Sequence, residues 1–139
     1  MKNLLLMLSL VLISSSVFAQ DAPLSDEEKA AILAGNPFGS VFPTSILKSS
    51  DDYFKSSMAL YKEGVISEKQ AHLVAIGTSA AVKCQYCIPY HISELKRLGA
   101  TDEEIKTAIL IAGDIMRMST LFYGNEFDLV AFKKMLKGE

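Results

Sequence analysis

The stretch Ser67–Ala100, SEKQAHLVAIGTSAAVKCQYCIPYHISELKRLGA, holds both cysteines and both histidines of the 139-residue chain. Its punctuation is helical throughout. Ser67 is an N-terminal cap, and Leu73, Ile76, Gly77, Ala80 and Ala81 then recur at helical spacing as a stripe of small and apolar side chains. A stripe of small residues lets another backbone approach closely, so this helix is expected at the centre of the fold. After the cysteines a second helical run ends at Gly99, a C-terminal stop. Nowhere does the chain sustain the apolar/polar alternation of a half-buried strand.

Working outward, the flanks repeat the pattern. Upstream, Ser25 with Glu28 three residues later reads as a capping box, and that helix should stop at Gly35 before Asn36-Pro37. Asn36 to Ser50, with Pro37, Gly39 and Pro43, reads as a loop. A second helix is expected from Asp51 to Glu63, with Phe54, Met58 and Tyr61 on one face and Gly64 as its stop. Downstream, Thr101 and Glu104 form another capping box. The helix they open turns Ile105, Ala108, Ile109 and Ala112 one way, yet Leu110 and Ile111 make the adjoining surface apolar too. A helix apolar around most of its circumference must be buried on more than one side; self-association and a deep monomer core both answer that demand. The stretch from Leu121 to Leu136 should add Phe122, Phe127, Val130, Ala131 and Phe132 to the core, with Lys133, Lys134 and Lys137 complementing a helix end. The expected fold is all-α, with about six helices.

Met1 to Ala19 reads as an export signal, not as fold. Lys2 precedes an apolar run from Leu4 to Ile13, and Val17-Phe18-Ala19 fits a small-residue cleavage site. The run is too short to cross a bilayer, which takes about 20 apolar residues. Cleavage would leave residues 20–139, a length that normally makes one domain, with a periplasmic or secreted location and no membrane attachment. The net charge of −2, one unit more negative after loss of Lys2, offers no basic stripe for nucleic acid. An exported chain also lives where disulfides persist.

Cys84 and Cys87 can be a structural staple, a metal clip or a working dithiol. As a staple the pair is poor, because even a 15-residue loop yields only about 3 kcal/mol by loop entropy and this loop is far shorter. As a redox pair it is well placed, since each thiol can resolve a sulfenic acid or mixed disulfide formed on the other. Helical spacing of three and four residues would set Cys84, Cys87 and His91 on one face. Pro89 has no N–H to give to residue 85, so the helix should begin near Tyr86, leaving Cys87 in the first turn at the positive end of the dipole. Cys87 is then the expected lower-pKa thiol and Cys84 the more accessible partner. Tyr86 and Tyr90 are expected to pack around the site. Two alternatives stay open: Cys84, Cys87, His91 and His72 as a Cys₂His₂ zinc set, although their spacing is not that of a zinc finger, and an inert dithiol in a helical oligomer.

The residues KQAHLVAIGTSAAVKC, CQYCIPYH and LGATDEEI together resemble the alkylhydroperoxidase D-like and carboxymuconolactone decarboxylase superfamily, over roughly Glu68 to Gly113. The resemblance implies an all-α domain that assembles into trimers or hexamers. It implies a thiol peroxidase or disulfide reductase, because lactone decarboxylases of this kind lack the cysteine pair. Carried over, Cys87 would attack a hydroperoxide, Cys84 would resolve the product and His91 would relay protons. No cofactor or metal is implied; an external dithiol, thioredoxin-like or lipoyl-type, would restore the thiols. One departure stands out: relatives usually carry glutamate twelve residues before the first cysteine, where this chain has His72. His72 is expected to serve as base or as cation there, with Glu68 one turn earlier able to hold its ring.

Overall fold

The computed structural model describes residues 23–139, and among them there are six α-helices and no strand. The export signal expected over Met1–Ala19 lies outside the described residues. The chain forms two compact units, one ending at Asp51 and one spanning Asp52–Glu139.

In the first unit, α1 (Asp26–Gly35) begins with the expected capping box, Ser25 accepting from the Glu28 N–H and Glu28 reaching back to the Ser25 N–H. Beyond it, Asn36 is fully buried and its Oδ1 accepts from the Phe38 N–H at 3.1 Å, turning the chain. The expected loop Asn36–Ser50 is shorter than its composition implied. It holds two 3₁₀ turns, Gly39–Val41 and Thr44–Ile46, and the second runs without a break into α2 (Leu47–Glu63), which therefore starts four residues before Asp51. Pro43 supplies the preset φ of −58° that opens the second turn. The hydroxyls of Ser49 and Ser50 then bond back to the Ile46 carbonyl, so polar residues that read as loop reinforce a helix start.

The second unit is organised around α3 (Glu68–Ala81), which packs against both α4 (Cys87–Arg97) and α5 (Asp102–Gly124). Its Ser67–Gln70 capping box fixes the first turn. Gly77 is where the small stripe matters: a Cβ there would lie 3.1 Å from the Ala108 carbonyl oxygen and 3.5 Å from the Ala112 Cβ. Only glycine lets the two backbones come this close without displacement. Around that contact Ile76, Leu95, Ala100 and Ile105 form the buried core, with Leu73, Ile88, Ile92, Ala108 and Ile109 packed against it. Full burial of Ile76 and Leu95 contributes about 1.5–3 kcal/mol each. At the end of α4, Gly99 takes φ +73°, and Thr101 and Glu104 close the expected capping box on α5. The Glu104 carboxyl also meets Lys69 at 2.7 Å, and these hydrogen bonds hold its pKa down at about 2.

The C-terminal third departs from expectation. α5 runs through Leu121 to Gly124, and α6 (Leu129–Leu136) starts only after a turn in which Glu126 takes φ +51° and Asp128 caps the new helix. Phe122, Phe127, Val130 and Ala131 do not join the core; all four are exposed, and Phe132 is half-buried. Phe122, Phe127 and Phe132 instead pack on one another, with ring centroids 5.1–6.1 Å apart. The reason is geometric, because the buried cluster draws on α5 only through its N-terminal half.

Candidate functional site

The last turn of α3 delivers the first cysteine. Lys83 adopts φ +57°, its N–H bonding to the Ala80 carbonyl while the Cys84 N–H bonds to the Ser79 carbonyl. This is the two-bond closure that glycine usually makes, and holding a lysine there costs about 1–2 kcal/mol. It leaves Cys84 at the head of the next helix. The Cys84 carbonyl accepts from the Ile88 N–H, Tyr86 is already in the αR region, and the Cys87 N–H donates to Cys84 Sγ at 3.1 Å. Cys84 thus caps α4 with its sulfur, as a serine caps with its oxygen.

Cys87 is the first residue of α4, as Pro89 required, and the two cysteines are joined as a disulfide with both residues half-buried. The shared helix face expected for three residues holds only for Cys87 and His91, since Cys84 precedes the helix. The helix end serves Cys84 as well, because it is the Cys84 sulfur that accepts a backbone N–H. With the sulfurs bonded to each other, the alternative Cys₂His₂ zinc set has no thiolates to offer in this state.

His91 and His72 meet each other across the α3–α4 contact. Their Nδ1 atoms are 2.9 Å apart, His91 from α4 and His72 from α3. Two neutral imidazoles can do this only if one Nδ1 carries hydrogen and the other does not, so the pair shares a single hydrogen across the contact. His72 is 1% exposed and His91 is also buried. Burial lowers the pKa of both; for His91 the facing His72 ring lowers it further, while Glu94 opposes the shift in both and Glu68 in His72. The rings are held by aromatics: Tyr61 of α2 stacks on His72 at 4.7 Å, and Tyr90 meets His91 edge-on at 5.0 Å. Tyr90 packs as expected, its hydroxyl 3.6 Å from Met58 Sδ; Tyr86 stands out in solvent.

Beside the imidazoles lies an ionic group that the sequence reading did not assemble. One Nη2 of Arg97 is 2.6 Å from Glu68 and 2.6 Å from Glu94, tying α3 to α4. Glu68 is therefore engaged by a guanidinium, although it does lie near His72: one ligand atom each from Glu68, His72 and Glu94 fall within 4.8 Å of one another. Neither cysteine belongs to that cluster. Tyr61, Glu94 and Arg97 are the site residues missed. Glu94 and Arg97 follow His91 at successive steps of three on α4, a signal present in the sequence, whereas nothing local ties Tyr61 to His72.

Residues 50–121, just over half of the chain, match the family model of the carboxymuconolactone decarboxylase family. The chain belongs to this family. A relative from Paracoccus denitrificans, described as uncharacterized protein 4 in cox locus, is 28% identical over 79 residues, covering 56% of this chain and 71% of its own. No solved structure matches. The family is all-α and includes both decarboxylases and alkylhydroperoxidases. In this member of the carboxymuconolactone decarboxylase family, the matched segment contains α3, α4 and most of α5, with both cysteines, both histidines and the ionic group.

Proposed function

We propose that this protein is an exported thiol peroxidase that reduces hydroperoxides through Cys84 and Cys87. The observation that carries the proposal is the closed cysteine pair at the first turn of α4, with a buried imidazole one turn on at His91 and a second, His72, hydrogen-bonded behind it. In the reduced state the Cys87 thiolate attacks the outer oxygen of the hydroperoxide. The O–O bond breaks, Cys87 becomes a sulfenic acid, and the leaving oxygen takes a proton and departs as water or alcohol. The His91–His72 pair accepts the thiol proton and returns it to the leaving oxygen. Cys84 then condenses with the sulfenic acid, releasing water and forming the disulfide, and two thiols of an external dithiol reduce it. The Cys84 sulfur, capped by the Cys87 N–H, is the better leaving thiolate in that last step.

Residues 1–19 support export by their charge and apolar pattern. Assembly into trimers or hexamers is supported by α5, where Leu110 is 73% and Ile115 64% exposed; uncovered, such a surface is costly to keep in water. The decisive experiment is stopped-flow oxidation of the reduced protein by hydrogen peroxide and by an organic hydroperoxide. In Cys84→Ser a dimedone-type reagent should trap a sulfenic acid on Cys87. Oxidation no faster than that of a free thiol would end the proposal. A second reading, disulfide exchange with a protein partner without peroxide, is favoured by the hydrogen bond on Cys84 Sγ and predicts no trapping. His72→Glu, run alongside, tests the departure from the usual glutamate; faster oxidation would make the native histidine a handicap.

A further inference from the structure

We propose that Glu68, His72 and Glu94 form a binding site for a divalent first-row transition-metal ion, with Arg97 as the residue that competes for it. This goes beyond the thiol chemistry and uses neither sulfur.

The three side chains come from two packed helices. Glu68 and His72 are four apart on α3 and therefore share a face, and Glu94 reaches in from α4; their ligand atoms lie within 4.8 Å of one another. A tetrahedral ion about 2.1 Å from each ligand needs those atoms about 3.4 Å apart, a closure that rotation of two carboxylates supplies. The imidazole is buried, stacked on Tyr61, and its Nδ1 is engaged by His91, so Nε2 is the ring atom left to serve a metal. A ligating histidine characteristically gives its other ring N–H to a fixed acceptor, and His91 Nδ1, 2.9 Å away, can accept it in the tautomer that lacks hydrogen there. Binding would thus fix His72 as the donor of the shared hydrogen and define the tautomer of His91.

Charge argues the same way. The two carboxylates are more than three-quarters buried, at 24% and 23% side-chain exposure, and they face one guanidinium. Arg97 is the cation bonded to both carboxylates, with Lys62 of α2 adding a positive charge that acts on Glu94 alone; a divalent ion would engage both carboxylates directly. The Arg97 side chain is half exposed, so it can leave to solvent when an ion arrives. Two oxygens and one nitrogen suit Zn²⁺, Mn²⁺ or Fe²⁺ and leave a position for water.

The test is calorimetric titration of the tag-free, disulfide-closed protein with ZnCl₂ and with MnCl₂, the closed disulfide removing cysteine as a ligand. One equivalent should bind, and ring signals of His72 should shift in NMR spectra. Loss of an outer-shell partner typically weakens metal binding about 10–100-fold, so Glu94→Gln, which removes a ligand, should weaken it at least that much. Arg97→Gln should tighten binding several-fold while lowering fold stability. If the ionic group only ties α3 to α4, Arg97→Gln lowers stability and binds no metal. Absence of binding in both the native protein and Arg97→Gln, or binding indifferent to Glu94→Gln, would overturn the proposal.

Discussion

The two ends of the second unit invert the usual relation between polarity and burial. Where α3 meets α4, two histidines are buried and two carboxylates half-buried; the histidines pair across the helices, and Arg97 of α4 bonds both Glu68 of α3 and Glu94 of its own helix. Along the C-terminal half of α5 and in α6, leucine, isoleucine, valine and phenylalanine stand in solvent. Burying a polar group without a partner costs more than a typical hydrogen bond returns, so the first region persists only because its contacts are mutually satisfying. Apolar exposure carries no such local penalty; it is relieved only by whatever covers it. The polar region is thus specified from within the chain, and the apolar region is where the proposed assembly would act.

Breaking the polar region should have the largest effects. Cys87→Ser should abolish peroxide reduction, by at least about 10³-fold as for loss of other catalytic nucleophiles, in a coupled assay with excess dithiol. Equal activity in Cys87→Ser and wild type would move the chemistry off this helix turn. His91→Phe removes the partner of His72 as well as the proton acceptor. The oxidation rate should fall about 10²–10⁴-fold, and the fold should lose about 1–3 kcal/mol for the orphaned imidazole, read by urea denaturation.

The apolar contrast is sharpened by paired truncations. Ile76→Ala in the core should cost about 2–5 kcal/mol. Ile115→Ala should change the stability of a dilute monomer by no more than about 0.5 kcal/mol. Ile115→Glu should instead lower the sedimentation coefficient if a second copy covers α5; an unchanged value at all concentrations would remove the assembly proposal.

The smallest effect lies at the start of α5. Thr101→Ala should cost about 1 kcal/mol as a lost cap. Glu104 adds a pH dependence of defined sign. Its folded pKa of about 2 lies below its ordinary 4.5, so the unfolded chain binds more protons between those values. Its contribution is complete above about pH 4.5 and is lost as the pH falls toward 2. Glu104→Gln should flatten that part of the acid-denaturation curve.

Much of this was legible in one dimension. Capping boxes at Ser25 and Thr101 and the cap at Ser67 were readable because each is made within four residues, and Pro89 set the start of α4 through its own missing N–H. His72 and His91 stood out because they are the chain's only histidines and fall at motif positions. The extension of α5 past Leu121 was not legible, since helix continuation through Ser119-Thr120 and the turn at Glu126 leave no strong local mark. Nor was the partner of His91, which spacing alone directed toward the sulfurs.

From its own pattern the sequence determined an all-helical chain, the caps at Ser25, Ser67 and Thr101 and the placing of two cysteines at a helix start, because each of these is settled by neighbours along the chain. Only tertiary structure decided that the two imidazoles bond to each other, that Tyr61 stacks on His72, and that Arg97 of α4 reaches Glu68 of α3. Those contacts span 11 to 29 residues and exist only because Gly77 lets α5 approach α3 closely while α4 folds back against α3. Distance along the chain carries no such information; the packing of three helices does.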